Sequence, residues 1–321
     1  MGDVVAWLME GDPAIRWQAM HDLADRPEAE WRAERAKVAE EGWGRRLLDA
    51  RDADGLWAGG AYVPAGFTEE MWRAEGQPWT ATSHALTDLR HMGMEPDGDA
   101  ARRIVEDVGR TCRWDHDGQP FWEGEVEECI NGRTLADGAY FGAPVGGIAE
   151  RLLGEGQSDG GWNCERANGS VRSSFDSTIN VLEGLLAWEA AFGATGRTRA
   201  ARAEGEAFLL ERGLFRRATT GEVADPDYLK LFYPWRWRHN VLRGLEYFRA
   251  ASRRDGTPPD PRLGEAVEAV RAKRRADGTW APDWQPRGRT WFAMDGGVGA
   301  PSRWLTLMAL RVLRWWDGRA A

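Results

Sequence analysis

The chain has 321 residues, a formal net charge of −9 and three cysteines. The acidic balance argues against a nucleic-acid partner, which needs a basic face. Cys112, Cys129 and Cys164 lie far apart without a CxxC pair, so neither a disulfide framework nor a zinc ribbon is expected. No stretch reaches the roughly 18 apolar residues of a membrane span, and the opening MGDVVAWLMEGDPAIRW lacks a basic leader. A soluble protein of the reducing cytoplasm is expected.

The predicted elements are helices of two kinds, and they alternate. In chain order, DPAIRWQAMHDLADRP (12–27) is a candidate buried helix, and the charged EAEWRAERAKVAEEGWGRRLLDA follows it. Next come the apolar PWTATSHALTDLRHMGM (78–94) and the charged DAARRIVEDVGRTCRW. Two apolar segments follow, ADGAYFGAPVGGIAERLLGEG (136–156) and SSFDSTINVLEGLLAWEAAFG (173–193), and then the charged RTRAARAEGEAFLLERGLFRR. YPWRWRHNVLRGLEYFRAAS (233–252), the charged DPRLGEAVEAVRAKRRADG and APSRWLTLMALRVLRWW (300–316) complete the series. Segments apolar on most sides read as inner helices, and those with one broad Arg/Glu face read as outer helices. Pro78 and Pro301 suit a first turn, Ser174 suits an N-cap, and Gly93, Gly154 and Gly193 suit helix ends. Strand signals are almost absent.

About six inner/outer pairs predict an all-α fold, an α/α toroid closed on itself. It would span 1–321 as a single domain, with the N-terminal helices of 1–40 as its closing pair. An open stack of pairs would be a solenoid; the even spread favours closure. The loops 52–78 and 277–300 are long, and loops of that length usually carry function.

The chain is also rich in tryptophan, with 19 against five tyrosines. Three stretches match one another: DADGLW ending at Trp57, QSDGGW at Trp162 and RADGTW at Trp280. Their gaps are 105 and 118 residues, close to two copies of a unit of about 58. Decayed copies would then fall at DHDGQPFW and near residue 220, where the chain is turn-like.

Asp-Gly-Gly-Trp ahead of a helical hairpin, repeated with variants, resembles the repeat shared by squalene/oxidosqualene cyclases and protein prenyltransferase β subunits. The resemblance covers about residues 40–316 and implies an α/α toroid in which Trp57, Trp162 and Trp280 are structural. Class II cyclases carry Asp-x-Asp-Asp-Thr at the start of an inner helix, its middle Asp protonating an alkene or epoxide. Here the matching stretch is Ser174-Phe175-Asp176-Ser177-Thr178. The resemblance places Asp176 on the proton donor and Thr178 on the Thr, with Ser174 and Ser177 where the other acids stand. Asp176 reads equally as a helix cap, favoured by free amides and the macrodipole, or as a polar group that binds a ligand.

The catalytic set implied is Asp176, His239 and Asp295. The substrate-binding set is Trp79, His84, Tyr140, Phe175, Trp235, Arg236, Arg303 and Trp304, which offer aromatic faces and cations at or near inner-helix starts. The prenyltransferases bind zinc through Asp-x-Cys and a later His; at the Asp176 stretch two of those ligands are missing, and no metal and no cofactor are expected. Cys129, in EVEECINGRTLADGAYFG (125–142), has no evident base beside it, and that stretch reads as a loop leading into an inner helix.

Expected partners are a small hydrophobic, isoprenoid substrate, with no nucleic acid. A full-length cyclase has two toroids, so a homodimer or a second protein closing the site is expected, with peripheral membrane contact. The function implied is that of a terpenoid-cyclase-like isomerase or lyase acting in an aromatic-lined cavity. Two alternatives stay open: a carbohydrate-active lyase or glycosidase using Asp137, Asp176, Asp295 or Glu128, and a non-catalytic ligand-binding toroid.

Overall fold

The computed structural model describes residues 2–318. Their regular secondary structure is helical, joined by loops, and among the described residues β pairing is limited to isolated bridges. The helices in chain order are α1 (Gly2–Met9), α2 (Pro13–Asp22), α3 (Glu28–Ala36), α4 (Gly42–Asp49), α5 (Glu69–Glu75), α6 (Thr82–Met92) and α7 (Asp99–Thr111). They continue as α8 (Glu128–Phe141), α9 (Gly146–Gly154), α10 (Phe175–Phe192), α11 (Gly196–Glu211), α12 (Val241–Asp255), α13 (Gly264–Ala272) and α14 (Arg303–Trp316). No helix among the described residues is long and apolar enough to cross a membrane.

Burial alternates along this order. Helices α6, α8, α12 and α14 are buried on nearly all sides. Helix α7 buries only the stripe Ala101, Ile104 and Val108, α9 only Ile148, Ala149 and Leu152, and α13 only Ala266, Val267 and Val270. This is the inner/outer alternation that the composition predicts. Two boundaries differ from expectation. The segment 136–156 is not one helix: α8 starts eight residues earlier, at Glu128, and stops at Gly142, whose left-handed φ of 77° ends it. Helices α6 and α14 start at Thr82 and Arg303, beyond Pro78 and Pro301, because Ala81 and Ser302 hold the cap positions.

Contacts divide the chain into two compact units. The mid-chain unit holds 38–206 and 287–293, and the end unit holds the rest of the described residues.

All three Asp-Gly-x-Trp copies fold identically. Each indole is buried, and its N–H donates to the carbonyl third from the end of an outer helix. The pairs are Trp57 to Leu47 (2.7 Å), Trp162 to Leu152 (2.9 Å) and Trp280 to Val270 (2.7 Å). In the last turn no i+4 amide reaches those carbonyls; each otherwise takes only the longer bond from its C-cap amide, Ala50 (3.3 Å), Glu155 (3.3 Å) or Lys273 (3.2 Å). The backbone N–H of each Trp donates to a threonine hydroxyl on an inner helix: Thr82 (3.3 Å), Thr178 (3.1 Å) and Thr306 (3.0 Å). One tryptophan thus fastens the end of an outer helix to the start of an inner one. The motif glycines, Gly55, Gly160 and Gly278, have φ of 87°, 97° and 85°, which side chains rarely adopt. The two decayed copies are tight turns closed by the bridges Arg113–Pro120 and Arg216–Val223.

In the mid-chain unit α8 and α10 touch backbone to backbone. A Cβ on Gly132 would lie 2.5 Å from the Asn180 carbonyl, and one on Gly184 would lie 2.4 Å from the Gly132 carbonyl oxygen. Glycine at 132 and 184 is what lets the two buried helices approach so closely. Asn180, itself buried, donates its side-chain amide to the Asp176 carbonyl at 2.6 Å, one turn back on α10.

In the end unit α2, α12 and α14 meet over a buried ion cluster. Asp22 faces Arg249 (3.8 Å) and Arg253 (3.1 Å) from α12 and Arg311 (3.3 Å) from α14, and Arg311 also pairs with Glu246. Burial alone would raise the Asp22 carboxyl; the His21 hydrogen bond and the charges of Arg249 and Arg311 outweigh it and hold it well below the carboxylate range.

Two outcomes follow from this packing. Gly132→Ala should cost about 1–3 kcal/mol through overpacking, read as a lower urea midpoint with unchanged m-value; no loss would mean that α8 and α10 do not meet at this point. Asp22, depressed when folded, stabilises fully above its unfolded value of about 4 and loses that contribution as pH falls below it. The wild-type urea midpoint should therefore drop from about pH 5 to about pH 3 more steeply than that of Asp22→Asn; parallel slopes would remove Asp22 from the account.

Candidate functional site

The starts of α8 and α10 deliver reactive side chains to one place. Glu127 is the N-cap of α8, and Cys129 is the second helical residue. The approach to α8 is folded back by Asn131, which accepts from the Glu125 amide at 2.7 Å and donates to the Glu125 carbonyl at 2.6 Å. The Glu125 carboxylate then accepts from the Glu127 amide at 2.7 Å. Cys164 arrives from the other side. It stands two residues past Trp162, whose position the repeat fixes, and its amide donates to Ser177 Oγ on α10 at 3.1 Å.

The Sγ atoms of Cys129 and Cys164 and a carboxylate oxygen of Glu127 lie within 4.8 Å of one another. Cys129, which is buried, donates its S–H toward Glu127 Oε2 at 3.4 Å. The Cys129 hydrogen bond is the main cause that brings the Cys164 thiol down to about 7, against burial and with help from Ser177. The same bond, with burial, pushes the Cys129 thiol up. Burial raises the Glu127 carboxyl, against the Cys129 hydrogen bond, and the charges of Glu125, Glu165 and Glu128 add to the rise. Glu128 is paired with Arg166 at 2.6 Å.

A second polar group in the same unit surrounds His84. The ring sits 5.0 Å from both Tyr62 and Trp79. Its Nδ1 lies 3.2 Å from Arg133 Nη2, and its Nε2 lies 3.0 Å from the Tyr62 carbonyl. An arginine can only donate, so Nδ1 accepts and the proton belongs on Nε2, donated to Tyr62. Arg133 also donates to Thr87 (3.2 Å), Thr87 to Asp137 (2.7 Å), and Arg90 pairs with Asp137 at 2.6 Å. Burial pushes the Tyr62 phenol up to about 12, opposed by the charge of Arg133 and a hydrogen bond with Gln77; Cys129 and Glu127 also act on it.

The expected site residues fall into both units. Asp176, Trp79, His84, Tyr140 and Phe175 belong to the mid-chain unit. Asp176 is half-buried in the first turn of α10, one residue before Ser177; the N-cap is Ser174, whose hydroxyl accepts from the Ser177 amide at 3.0 Å. Phe175 is buried beside it. Trp79 is buried and donates to the Arg287 carbonyl at 2.6 Å; Tyr140 is bound through its hydroxyl to the Met94 carbonyl at 2.7 Å. His84 and Trp79 are brought together.

In the end unit Trp235 and Trp304 flank Tyr233 at 5.4 and 4.7 Å. Arg303 lies over Trp7 at 4.5 Å, and Arg236 is buried with a left-handed φ of 57°. His239 is buried, with Nε2 at 2.8 Å from the Leu214 carbonyl. Asp295 serves α14: its carboxylate accepts from the Ser302 hydroxyl, the Arg303 amide (2.8 Å) and the Trp304 amide (3.3 Å). Burial raises this carboxyl more than those bonds lower it.

Sequence reasoning missed the meeting of Cys129 with Cys164, and the role of Thr82, Thr178 and Thr306. The threonines carried a signal, since each occupies an inner-helix start downstream of a motif tryptophan. The cysteines, 35 residues apart, carried none.

No protein-family model and no curated protein matches the chain. A crystal structure of a protein from Actinoplanes is similar to it at 17% identity, with a TM-score of 0.46 over 96% of this chain and 90% of that one.

The geometry assigns Asp137 a structural task. Asp137→Ala takes from half-buried Arg90 its hydrogen-bonded carboxylate, leaving the charge of Glu183 as partial compensation, and should cost about 1–3 kcal/mol, seen as a lower melting temperature. A variant as stable as wild type would place the carboxylate's purpose elsewhere.

Proposed function

We propose that the chain is a terpenoid-cyclase-like enzyme, an isomerase or lyase that takes an isoprenoid or other polyene, with Asp176 as proton donor. The observation that carries the reading is the division of labour at the start of α10. The capping bond to the Ser177 amide comes from Ser174, so an acid at 176 is not required for it. Asp176 shares this helix start with Ser177, which holds Cys164, and so stands at the most chemically dense part of the mid-chain unit. Phe175, buried and next to Asp176 in the chain, offers the kind of π face that a carbocation needs, and Trp79 and Tyr62 pack against His84 in the same unit.

The carbohydrate reading has less support. A glycosidase needs two available carboxylates about 5–9.5 Å apart. Asp137 is engaged by Arg90 and Thr87, Glu128 by Arg166, and Asp295 by the amides of α14. The proposal includes the closed ring of helix pairs, supported by the alternation of fully buried and striped helices. It also includes a cytoplasmic location, peripheral membrane contact and a homodimer that closes the site.

The test compares two neighbours. Asp176→Asn should abolish turnover of a polyprenoid and leave the melting temperature nearly unchanged. Ser174→Ala should lower stability by about 1 kcal/mol and keep turnover. Undiminished turnover in Asp176→Asn, or a wild-type protein that returns every polyprenoid unaltered, would overturn the reading; in the second case a lipid retained through purification would identify a binder.

A further inference from the structure

We infer that Glu127, Cys129 and Cys164 form a binding site for a thiophilic divalent cation of the zinc class. This inference stands apart from the polyene reading and does not depend on it. Three donor atoms, two sulfurs and one carboxylate oxygen, are gathered within 4.8 Å from two segments 35 residues apart. Zinc–sulfur bonds of about 2.3 Å in a tetrahedron put neighbouring donor atoms roughly 3.5–4 Å apart. One edge, Cys129 Sγ to Glu127 Oε2, is 3.4 Å already. The other two separations are at most 4.8 Å, within about 1 Å of that range.

The donor types select the metal. Two soft sulfurs with one carboxylate suit zinc and reject magnesium or calcium, which want all-oxygen shells. The count selects the kind of site. Three protein ligands leave a fourth position open, as in zinc sites that hold water or substrate. The half-buried Cys164 leaves that position accessible, while Cys129 anchors the site from the buried side.

The surroundings fit a cation. Glu125 and Glu165 act electrostatically on Glu127 and would offset positive charge placed there, while the charge of Glu128 is already met by Arg166. The ligands are supported from behind. Ser177 holds the Cys164 amide, Glu125 holds the Glu127 amide, and the Asn131 bracket fixes the loop that carries both glutamates. Such supports are what orient ligands in working metal sites. On binding, each thiol that is still protonated gives its proton to solvent and the metal takes its place.

The test uses the full chain, reduced, stripped with chelator and titrated with cobalt(II). One equivalent should bind with sulfur-to-cobalt charge-transfer absorption and the visible bands of a four-coordinate ion, and zinc should displace it. Because Cys129 is buried, Cys164→Ser and Glu127→Gln carry the mutational arm. Cys164→Ser should weaken the charge-transfer band and lower affinity; Glu127→Gln should keep the band and lose at least about tenfold in affinity. A fully reduced wild-type chain that gives no thiolate band overturns the inference, as does a band untouched by Cys164→Ser. Formation of a Cys129–Cys164 disulfide in place of metal uptake would also overturn it and make the pair a redox couple.

Discussion

Each unit depends on one recurring contact, a tryptophan that closes the gap between an outer helix and an inner one. An α-helix leaves its last carbonyls without partners, and burying them unpaired is costly. Trp57, Trp162 and Trp280 each give a last-turn carbonyl, otherwise held only by a longer bond from the C-cap amide, a shorter bond from an indole N–H, and each donates its backbone N–H to a threonine hydroxyl. The large ring fills the space between the helices while its polar edge satisfies the backbone. Glycine two residues before it supplies the left-handed turn. A fold of short helices needs such fasteners, because isolated helices of 8 or 9 residues, the lengths of α4, α9 and α13, are marginal in water.

The candidate site depends on a different contact, the glycine crossing of α8 and α10. With Gly132 lodged between Asn180 and Gly184, the backbones approach as larger residues would forbid. The first turns of both helices then come to the same side. Cys129 is the second residue of one helix and Ser177 the third of the other, and Cys164 touches both. The tryptophan motif completes the arrangement, since Trp162 fixes the chain two residues before Cys164. Scaffold and site are therefore made by the same few bonds.

Much of this was legible in the sequence. The Asp-Gly-x-Trp spacing, the alternation of apolar and one-faced helices, the Ser174 cap and the helix ends at Gly93 and Gly193 all rest on local rules, and the structure agrees with them. What escaped was non-local or masked by composition. The start of α8 looked like a loop because EVEECINGR is polar and carries a glycine. It is a buried helix because Arg133 binds His84 and Thr87, Glu128 binds Arg166, and Asn131 binds the loop backbone. Polar residues read as exposed until their partners are known. The same holds for Asp295, placed near a helix start by the sequence but engaged by its amides only through the return of the 277–300 loop.

Thr178 bears on how far a motif resemblance can be carried. In the cyclase pattern it stands for the threonine that accompanies the catalytic acids. Here it holds Trp162, and Thr82 and Thr306 do the same for Trp57 and Trp280. Two residues before Thr306 stands Trp304, and two before Thr82 stands Thr80. The threonine thus recurs where no acid accompanies it, so the repeat alone accounts for it. Asp176 is not accounted for in that way: neither of the other two copies has an acid at its position, and the cap of α10 comes from Ser174. The start of α10 carries its acid within the first turn and holds a cysteine one residue along, whereas α14 receives its carboxylate, Asp295, from the preceding loop and α6 has neither a side-chain cap nor an acid in its first turn.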